Sequence, residues 1–289
     1  MKIYLDCYPC VVRHSLEASR MVTDDETVHF MVMNSVLKKL GKLSPDATPP
    51  EIATIIHRII RKSVKNNDPY KKIKKEYNQL ALSMYDDLKR KINESKDPIL
   101  TAMKLAIAGN IIDFGASNRE FNLKQIIDET LQSELDNGYY ENFMEELPGV
   151  SKLLYIGDNS GEIVFDKLLV EEIKKVVKGE IYFVVRGKSI LNDATIEDAK
   201  MVGLDKVVKI ISDGYDAPAF IPSESSKEAK FLFESSDLVI AKGQGNYESL
   251  SEVRKNIYFL LRLKCSIVAK DIGGKVGDNI LIKSYFSDN

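Results

Sequence analysis

The 289-residue chain is predicted to be an α/β protein. An all-helical region, residues 1–147, precedes a domain, residues 148–289, built on a mainly parallel sheet with crossover helices. Three observations carry this prediction. Up to about residue 147 the chain holds helix signals and almost no strand signals. Beyond it, short β-branched runs alternate with helical stretches, the pattern of a parallel sheet. Each of those runs also ends in polar or glycine-rich sequence, as the ligand-binding edge of such a sheet does.

The elements follow in order. A helix is predicted from near Asp24, with Gly41 as its C-terminal stop. Thr48-Pro49-Pro50-Glu51 is a capping box with proline in the first turn. The helix it opens carries Ile52, Ile55, Ile56, Ile59 and Ile60 at helical spacing. Asp68-Pro69 and Asp97-Pro98 repeat the cap-plus-proline device. Lys71 to Lys91 is a charged helix with Ile73, Tyr77, Leu80, Leu82, Met84 and Leu88 available for packing. Ile99 to Ile107 is an apolar helical run, broken by Gly109-Asn110-Ile111-Ile112-Asp113-Phe114-Gly115. Strands are predicted at Leu153–Ile156, Ile181–Val185, Val207–Ile211, Leu238–Ile240 and Ser266–Ala269. A helix from Ile163 to Lys178 follows the first strand. Its apolar face is Ile163, Leu168, Val170, Ile173 and Val177.

Composition narrows the class. Hydrophobic residues make up 44% of the chain, enough for a substantial core. The charged residues nearly balance, at a net charge of -2, which argues against a dedicated nucleic-acid binder. No run of about 18 apolar residues predicts a membrane span. Asp6 lies close to Lys2 with no signal-peptide core behind it. A soluble, cytoplasmic protein without a membrane partner is therefore expected. Three cysteines cannot form a disulfide framework.

The chemistry gathers after the strands. Gly157-Asp158-Asn159-Ser160-Gly161-Glu162 follows the first, and Arg186-Gly187-Lys188 with Asn192-Asp193-Ala194-Thr195 follows the second. Asp213-Gly214 follows the third, and Lys242-Gly243-Gln244-Gly245-Asn246 the fourth. Asp158, Asn159 and Asp193 are hard oxygen donors that suit one shared divalent cation such as Mg²⁺ or Mn²⁺. Asp, Asn and Ser are also favoured helix caps, so both segments read equally as helix starts, and the two roles are compatible. Lys242, bracketed by Gly243 and Gly245, reads as a phosphate-neutralising cation beside approachable backbone N–H groups, or as a solvated lysine. Cys7-x-x-Cys10-x-x-x-His14 reads in three ways. It is a metal site that Cys265 joins, a redox pair, or two small buried residues on a helix. His29 and His57 sit in helical patterns beside apolar residues and receive no function.

Taken in order, five segments resemble the damage-control metal-dependent phosphatase family, also called ARMT-like and once a domain of unknown function. They are Gly109–Gly115, Gly157–Glu162, Asn192–Thr195, Lys242–Asn246 and Leu263-Lys264-Cys265. Cys7-x-x-Cys10 resembles the prokaryotic branch. The resemblance implies a helical region, with room for two small subdomains, before a Rossmann-like α/β/α domain. It implies a Mg²⁺-, Mn²⁺-, Co²⁺- or Ni²⁺-dependent phosphatase acting on small phosphorylated metabolites, sugar phosphates included. Asp158, Asn159 and Asp193 would be metal ligands and the catalytic centre. Lys242, Gly243, Asn246, Lys264, Glu162 and Arg186 would face the substrate. Asn110 and Asp113 would close the pocket from the helical side, although a polar helix end packed on the sheet explains them as well. Cys7 and Cys10 stand as a second metal site.

A phosphate monoester needs its charge dispersed and a water in line. The metal would leave positions for both, and Lys242 and Lys264 would stabilise the equatorial oxygens. No second Asp stands two positions after Asp158, which favours direct attack by water over an aspartyl phosphate. Two alternatives belong to other classes. One is an S-adenosylmethionine-dependent carboxyl methyltransferase, whose early Gly-x-Gly-x-Gly loop is absent. The other is a non-catalytic phosphometabolite-binding protein.

Overall fold

In the computed structural model, which describes residues 1–110, 123–133, 135 and 138–284, all described strands lie beyond residue 151. They are β1 (Lys152–Ile156), β2 (Glu180–Val185), β3 (Lys209–Ser212), β4 (Leu238–Lys242), β5 (Ile257–Arg262) and β6 (Asn279–Lys283). The sheet order is β3-β2-β1-β4-β5-β6. The first five strands run parallel and β6 is antiparallel to β5. This is the Rossmann strand order, and the direction of winding reverses between β1 and β4. Ile156 and Ala241 are register partners, so the carboxyl ends of these two strands lie side by side.

Among the described residues the helices are α1 (Cys7–Val22), α2 (Glu26–Leu40), α3 (Pro49–Val64), α4 (Lys71–Glu94), α5 (Pro98–Gly109), α6 (Leu123–Gln132) and α7 (Gly138–Glu146) before the sheet. Within it come α8 (Glu162–Ile173), α9 (Ile196–Met201), α10 (Lys227–Ser235), α11 (Gly243–Leu250) and α12 (Ser266–Ile272). The period of two along each strand divides the core. Leu153 and Tyr155 of β1 and Leu238 and Ile240 of β4 join one cluster with residues of α4, α5, α7 and α8. Leu154, Ile156, Val239 and Ala241 join the opposite cluster with α10, α11 and α12. Helices α1, α2 and α3 hold a third cluster, with Val32, Val36, Ile52, Ile56 and Ile60 at its centre.

Helix α5 explains how the helical region meets the sheet. From Leu105 to Gly109 every residue is buried, and its longest packing partner is α8. Each buried Leu or Ile is worth roughly 1.5–3 kcal/mol, so α5 is an integral layer of the fold. The boundary drawn at residue 147 falls on the short 3-10 turn Leu147–Gly149, and the core continues across it.

Several local expectations hold. The Thr48 capping box forms, with Glu51 accepting from Thr48 N at 2.8 Å. Asp97 caps α5 through Leu100 N. Others need correction. Ser266–Ala269 is not a strand. Cys265 caps it as the first turn of α12, and the fifth strand is the unbroken apolar run Ile257–Leu261 just before it. The antiparallel edge strand β6 was not expected at all. Helix α8 ends at Ile173 rather than Lys178. Asp68 does not cap α4, which starts at Lys71, and instead pairs with Lys74 at 3.0 Å. Gly41 ends α2 in a right-handed conformation, φ −66°, without the left-handed stop.

Candidate active site at the switch point

The β1 loop and the β2 loop are stitched together by backbone. Ser160 N donates to Asn192 O at 2.8 Å, Ala194 N donates to Asp158 O at 2.8 Å, and Asn159 and Asp193 form a bridge. Asp158, Asn159 and Asp193, from two strand ends, are thereby brought together. Gly161 has φ +79° and introduces α8, a conformation that only glycine adopts cheaply. Gly243 stands across the switch point at φ +78°, where a Cβ would lie 1.9 Å from Asp158 Oδ2. A side chain there would fill the space in front of the carboxylate.

Two carboxamides organise the acids. Asn110 Nδ2, at the end of α5, donates to Asp158 Oδ2 at 3.2 Å and to Glu162 Oε2 at 3.1 Å. Asn159 Nδ2 donates to the same two oxygens at 3.0 and 3.1 Å. Asn110 thus reaches the site from the helical side; Asp113 lies outside the described residues. Burial, then the Glu162 and Asp193 carboxylates, push the Asp158 carboxyl well above its usual range, against Arg186 and Lys264. Lys264 is exposed, and its charge is felt at Asp158. Among the described residues no three His, Cys, Asp or Glu side chains form a ready-made metal cluster. Two carboxylates and a carboxamide converge instead.

Four residues expected at the substrate, Lys242, Glu162, Arg186 and Asn246, are buried with protein partners. Lys242 is fully buried, and Nζ donates to Glu162 Oε1 at 2.5 Å, Asp166 Oδ1 at 2.6 Å and Ala106 O at 2.7 Å. All three ammonium protons have protein acceptors, so none is left for a phosphate. The alternation Leu238, Ile240, Lys242 directs this side chain to the α5–α8 layer. Glu162, also fully buried, is its partner. Arg186 is buried too: Nε binds Asp193 Oδ2 at 2.8 Å, Nη1 lies 3.5 Å from Asp213 and Nη2 3.9 Å from Asp158. Burial opposes the Arg186 charge, but these three acids more than offset it and hold its pKa above the ordinary value. Asn246 is locked between Lys242 O at 2.6 Å, Gly157 O at 3.2 Å and Phe220 N at 2.8 Å. These four side chains are buried among protein partners, while Gly243 stands against Asp158 and Lys264 is exposed.

Sequence reasoning missed a contribution from α4. Asn78 Oδ1 accepts from Gly161 N at 2.7 Å, and Asn78 Nδ2 donates to Asp198 Oδ1 at 2.9 Å. Asp198 in turn holds Thr195 N at 2.9 Å and pairs with Lys74 at 3.5 Å. One side chain therefore ties the β1 loop to the β2 loop from behind. The signal was present: Lys74, Asn78 and Ala81 are spaced i, i+4, i+7 on the buried stripe that continues to Leu88. Asp213 was also missed as a site residue. It accepts from Gly187 N and Tyr215 N and faces Arg186. Cys7, Cys10 and His14 lie on α1.

Fold and site together define a Rossmann-type α/β protein with a buried acidic centre at its topological switch point and a helical layer closing over it. The chain belongs to the damage-control phosphatase ARMT1-like domain family, whose model matches residues 3–280. It is similar to an uncharacterised protein of Methanocaldococcus jannaschii, at 42% identity over 98% of this chain and 96% of that one. It is 35% identical to a damage-control phosphatase of Archaeoglobus fulgidus, covering 97% and 98% of the two chains. The crystal structure of a DUF89 family protein from Pyrococcus horikoshii superposes with a TM-score of 0.90 at 32% identity, covering 98% and 99%. No helix among the described residues is long and apolar enough to cross a membrane.

Proposed function

We propose that this chain is a divalent-metal-dependent phosphatase that hydrolyses small phosphorylated metabolites, sugar phosphates among them, in cytoplasmic metabolite damage control. The observation that carries the reading is the convergence of Asp158, Asn159 and Asp193 at the β1/β4 switch point, with exposed Lys264 beside them. Relatives named damage-control phosphatase over nearly their whole length support it.

The residues fit a divalent cation. Asp158 is buried, and burial with the nearby Glu162 and Asp193 charges raises its pKa, a repulsion that a bound cation would relieve. Asn110 Oδ1 and Ser160 Oγ are buried without a hydrogen-bond partner among the described residues. The donors are hard oxygens, which suits Mg²⁺, Mn²⁺, Co²⁺ or Ni²⁺. Asp158, Asn159 and Asp193 would hold the ion. Bound there, it would supply Lewis acidity at a phosphoryl oxygen and lower the pKa of a water.

The chain's own residues do the rest. Arg186 orients the Asp193 carboxylate, and Asn110 and Glu162 orient Asp158 and Asn159. Lys264 and the free N–H groups at the start of α11 meet the phosphate oxygens. The end of α5 covers the acids and limits bulk water. The methyltransferase alternative gains no support, because the loop after β1 is folded around carboxylates rather than open as a cofactor-binding glycine loop.

A chromogenic phosphate ester assay with a panel of divalent metals tests this reading. Turnover is expected only with metal, and Asp158→Ala and Asp193→Asn are expected to abolish it and to weaken metal binding measured by calorimetry. Undiminished hydrolysis by chelator-treated protein would overturn the reading.

A further inference from the structure

Helix α2 carries two apolar faces, and the fold covers only one of them. Val32, Val36 and Leu40, four residues apart, belong to the cluster that α2 shares with α1 and α3. Each residue turns the helix by about 100°, so Phe30, Asn34 and Leu37 share the opposite side, with Met31 flanking them. Phe30 is 70% exposed, Met31 49% and Leu37 52%. Asn34, between them, is exposed too. Single exposed apolar side chains are ordinary on a protein surface. Three on one stripe are not, because the outer face of an amphipathic helix is polar when it meets only water.

Charge selects the occupant of this face. Asp24, Asp25 and Glu26 stand exposed at the amino end of α2, and Lys38, Lys39 and Lys42 stand exposed at its carboxyl end. The helix macrodipole favours that distribution on a lone helix, so the charges alone call for no partner. Around an apolar stripe, however, they decide which partner fits. A second copy of α2 laid antiparallel brings each acidic end against a basic end, at both ends at once, and opposes the two macrodipoles. A parallel copy would set acid against acid and lysine against lysine. The face is therefore complementary to itself about a two-fold axis through Asn34. In that register Met31 meets the partner's Leu37, Phe30 lies along the stem of the partner's Lys38, and Glu26 faces the partner's Lys42.

We propose that the outer face of α2 is the interface of a two-fold homodimer, in which α2 packs antiparallel on α2 of a second copy. The helix spans 15 residues, about 22 Å. One such face is smaller than the roughly 800 Å² per partner of a standard stable interface, so the dimer is weak and forms at about 100 µM chain or above. Its rim of exposed charges makes it salt-sensitive. Nothing in this depends on the phosphatase reading.

Sedimentation equilibrium of the full chain, from about 10 µM to about 1 mM, tests the proposal. A monomer–dimer equilibrium is expected, weakened by added sodium chloride. Leu37→Glu and Phe30→Glu should each raise the dissociation constant about tenfold or more, with circular dichroism and the melting temperature showing that the variants fold. Asn34→Cys supplies a geometric readout, since a residue on the two-fold axis meets its own copy. Mild oxidation of that variant should give a covalent dimer, mapped to residue 34, that the unsubstituted chain does not give. A chain that stays monomeric at about 1 mM would overturn the proposal and leave the stripe to a different protein. So would a dimer that both glutamate variants form as tightly as the unsubstituted chain. A dimer without the Asn34→Cys cross-link would overturn the antiparallel arrangement.

Discussion

Lys242 and Lys264, both expected at the substrate, differ in surroundings, one fully buried and one exposed, and the difference can be measured. Lys242 pairs with Glu162 and Asp166, all three fully buried. Asp166 is pushed up to about 7 by burial, against the attraction of Lys242. Removing the ammonium leaves two buried acids unpaired, and breaking a buried pair in this way costs about 3–5 kcal/mol. Lys242→Met is therefore expected to lower the urea midpoint sharply. Lys264→Ala is expected to leave the midpoint unchanged while weakening inorganic phosphate about tenfold, read by calorimetry. The opposite pattern would return Lys242 to the substrate. Lys264 lies in the turn after β5, exposed, with its charge felt at Asp158.

At the scale of elements, α4 and α3 hold the site from the helical side. Asn78→Ala would strip Gly161 N and Asp198 of their shared partner in a buried place, at about 1–3 kcal/mol. Because the two loops it joins carry Asp158 and Asp193, metal affinity is expected to fall along with stability. A variant that loses stability but binds metal as before would make α4 a structural support only. Helix α3 latches to the rim through Arg58 and Arg61, which pair with Asp216, and Arg61 also donates to Ser189 O. Its His57 is buried against the edge of Tyr70, and burial pushes the imidazole down to about 3. The unfolded chain therefore binds a proton that the folded chain refuses. That contribution is fully present above pH 6.5 and is lost as pH falls from there toward 3. At pH 5 the loss is about 2 kcal/mol. The fall in melting temperature between pH 7 and pH 5 should be smaller in His57→Leu than in the unsubstituted protein. Equal falls would mean that His57 is not the group responsible.

For the whole molecule, the question is whether the α/β half stands alone. One face of its sheet packs on α4, α5 and α7, with Met103, Leu105, Ile107 and Phe143 in the same cluster as Leu153, Tyr155 and Phe183. A fragment of residues 148–289 would expose that face and unpair Lys242 from Ala106 O. It is expected to show no cooperative thermal transition and no phosphatase activity. A sharp, reversible melt of the fragment would mean that the helical layer is dispensable to the fold. Helices α1–α3, with a cluster of their own, touch the α/β half mainly through α3 and the seam around α11.

The sequence by itself determined the class of fold, because periodicity and capping are local. Alternation in Leu153–Ile156 and Leu238–Ala241, the Thr48 and Asp97 caps, and polar residues after each strand all arise within a few residues. Local signals were ambiguous at residues 257–269, where two apolar runs compete. Only packing decided that Ile257–Arg262 is the buried strand and Ser266–Ile272 a helix. The converging loops were legible too, since every strand of a parallel sheet delivers its end to the same edge. Which polar side chains face that edge and which lie beneath it was not legible. Lys242, Arg186, Glu162 and Asn246 have the same chemistry in either place, and burial among partners distant in the chain assigned them. Asn78 had no motif because its partners, Gly161 and Asp198, come from other elements. The polar and charged residues after each strand were readable from local sequence, but the tertiary structure decided which charges neutralise one another, because Coulomb interactions follow distance in space and not order along the chain.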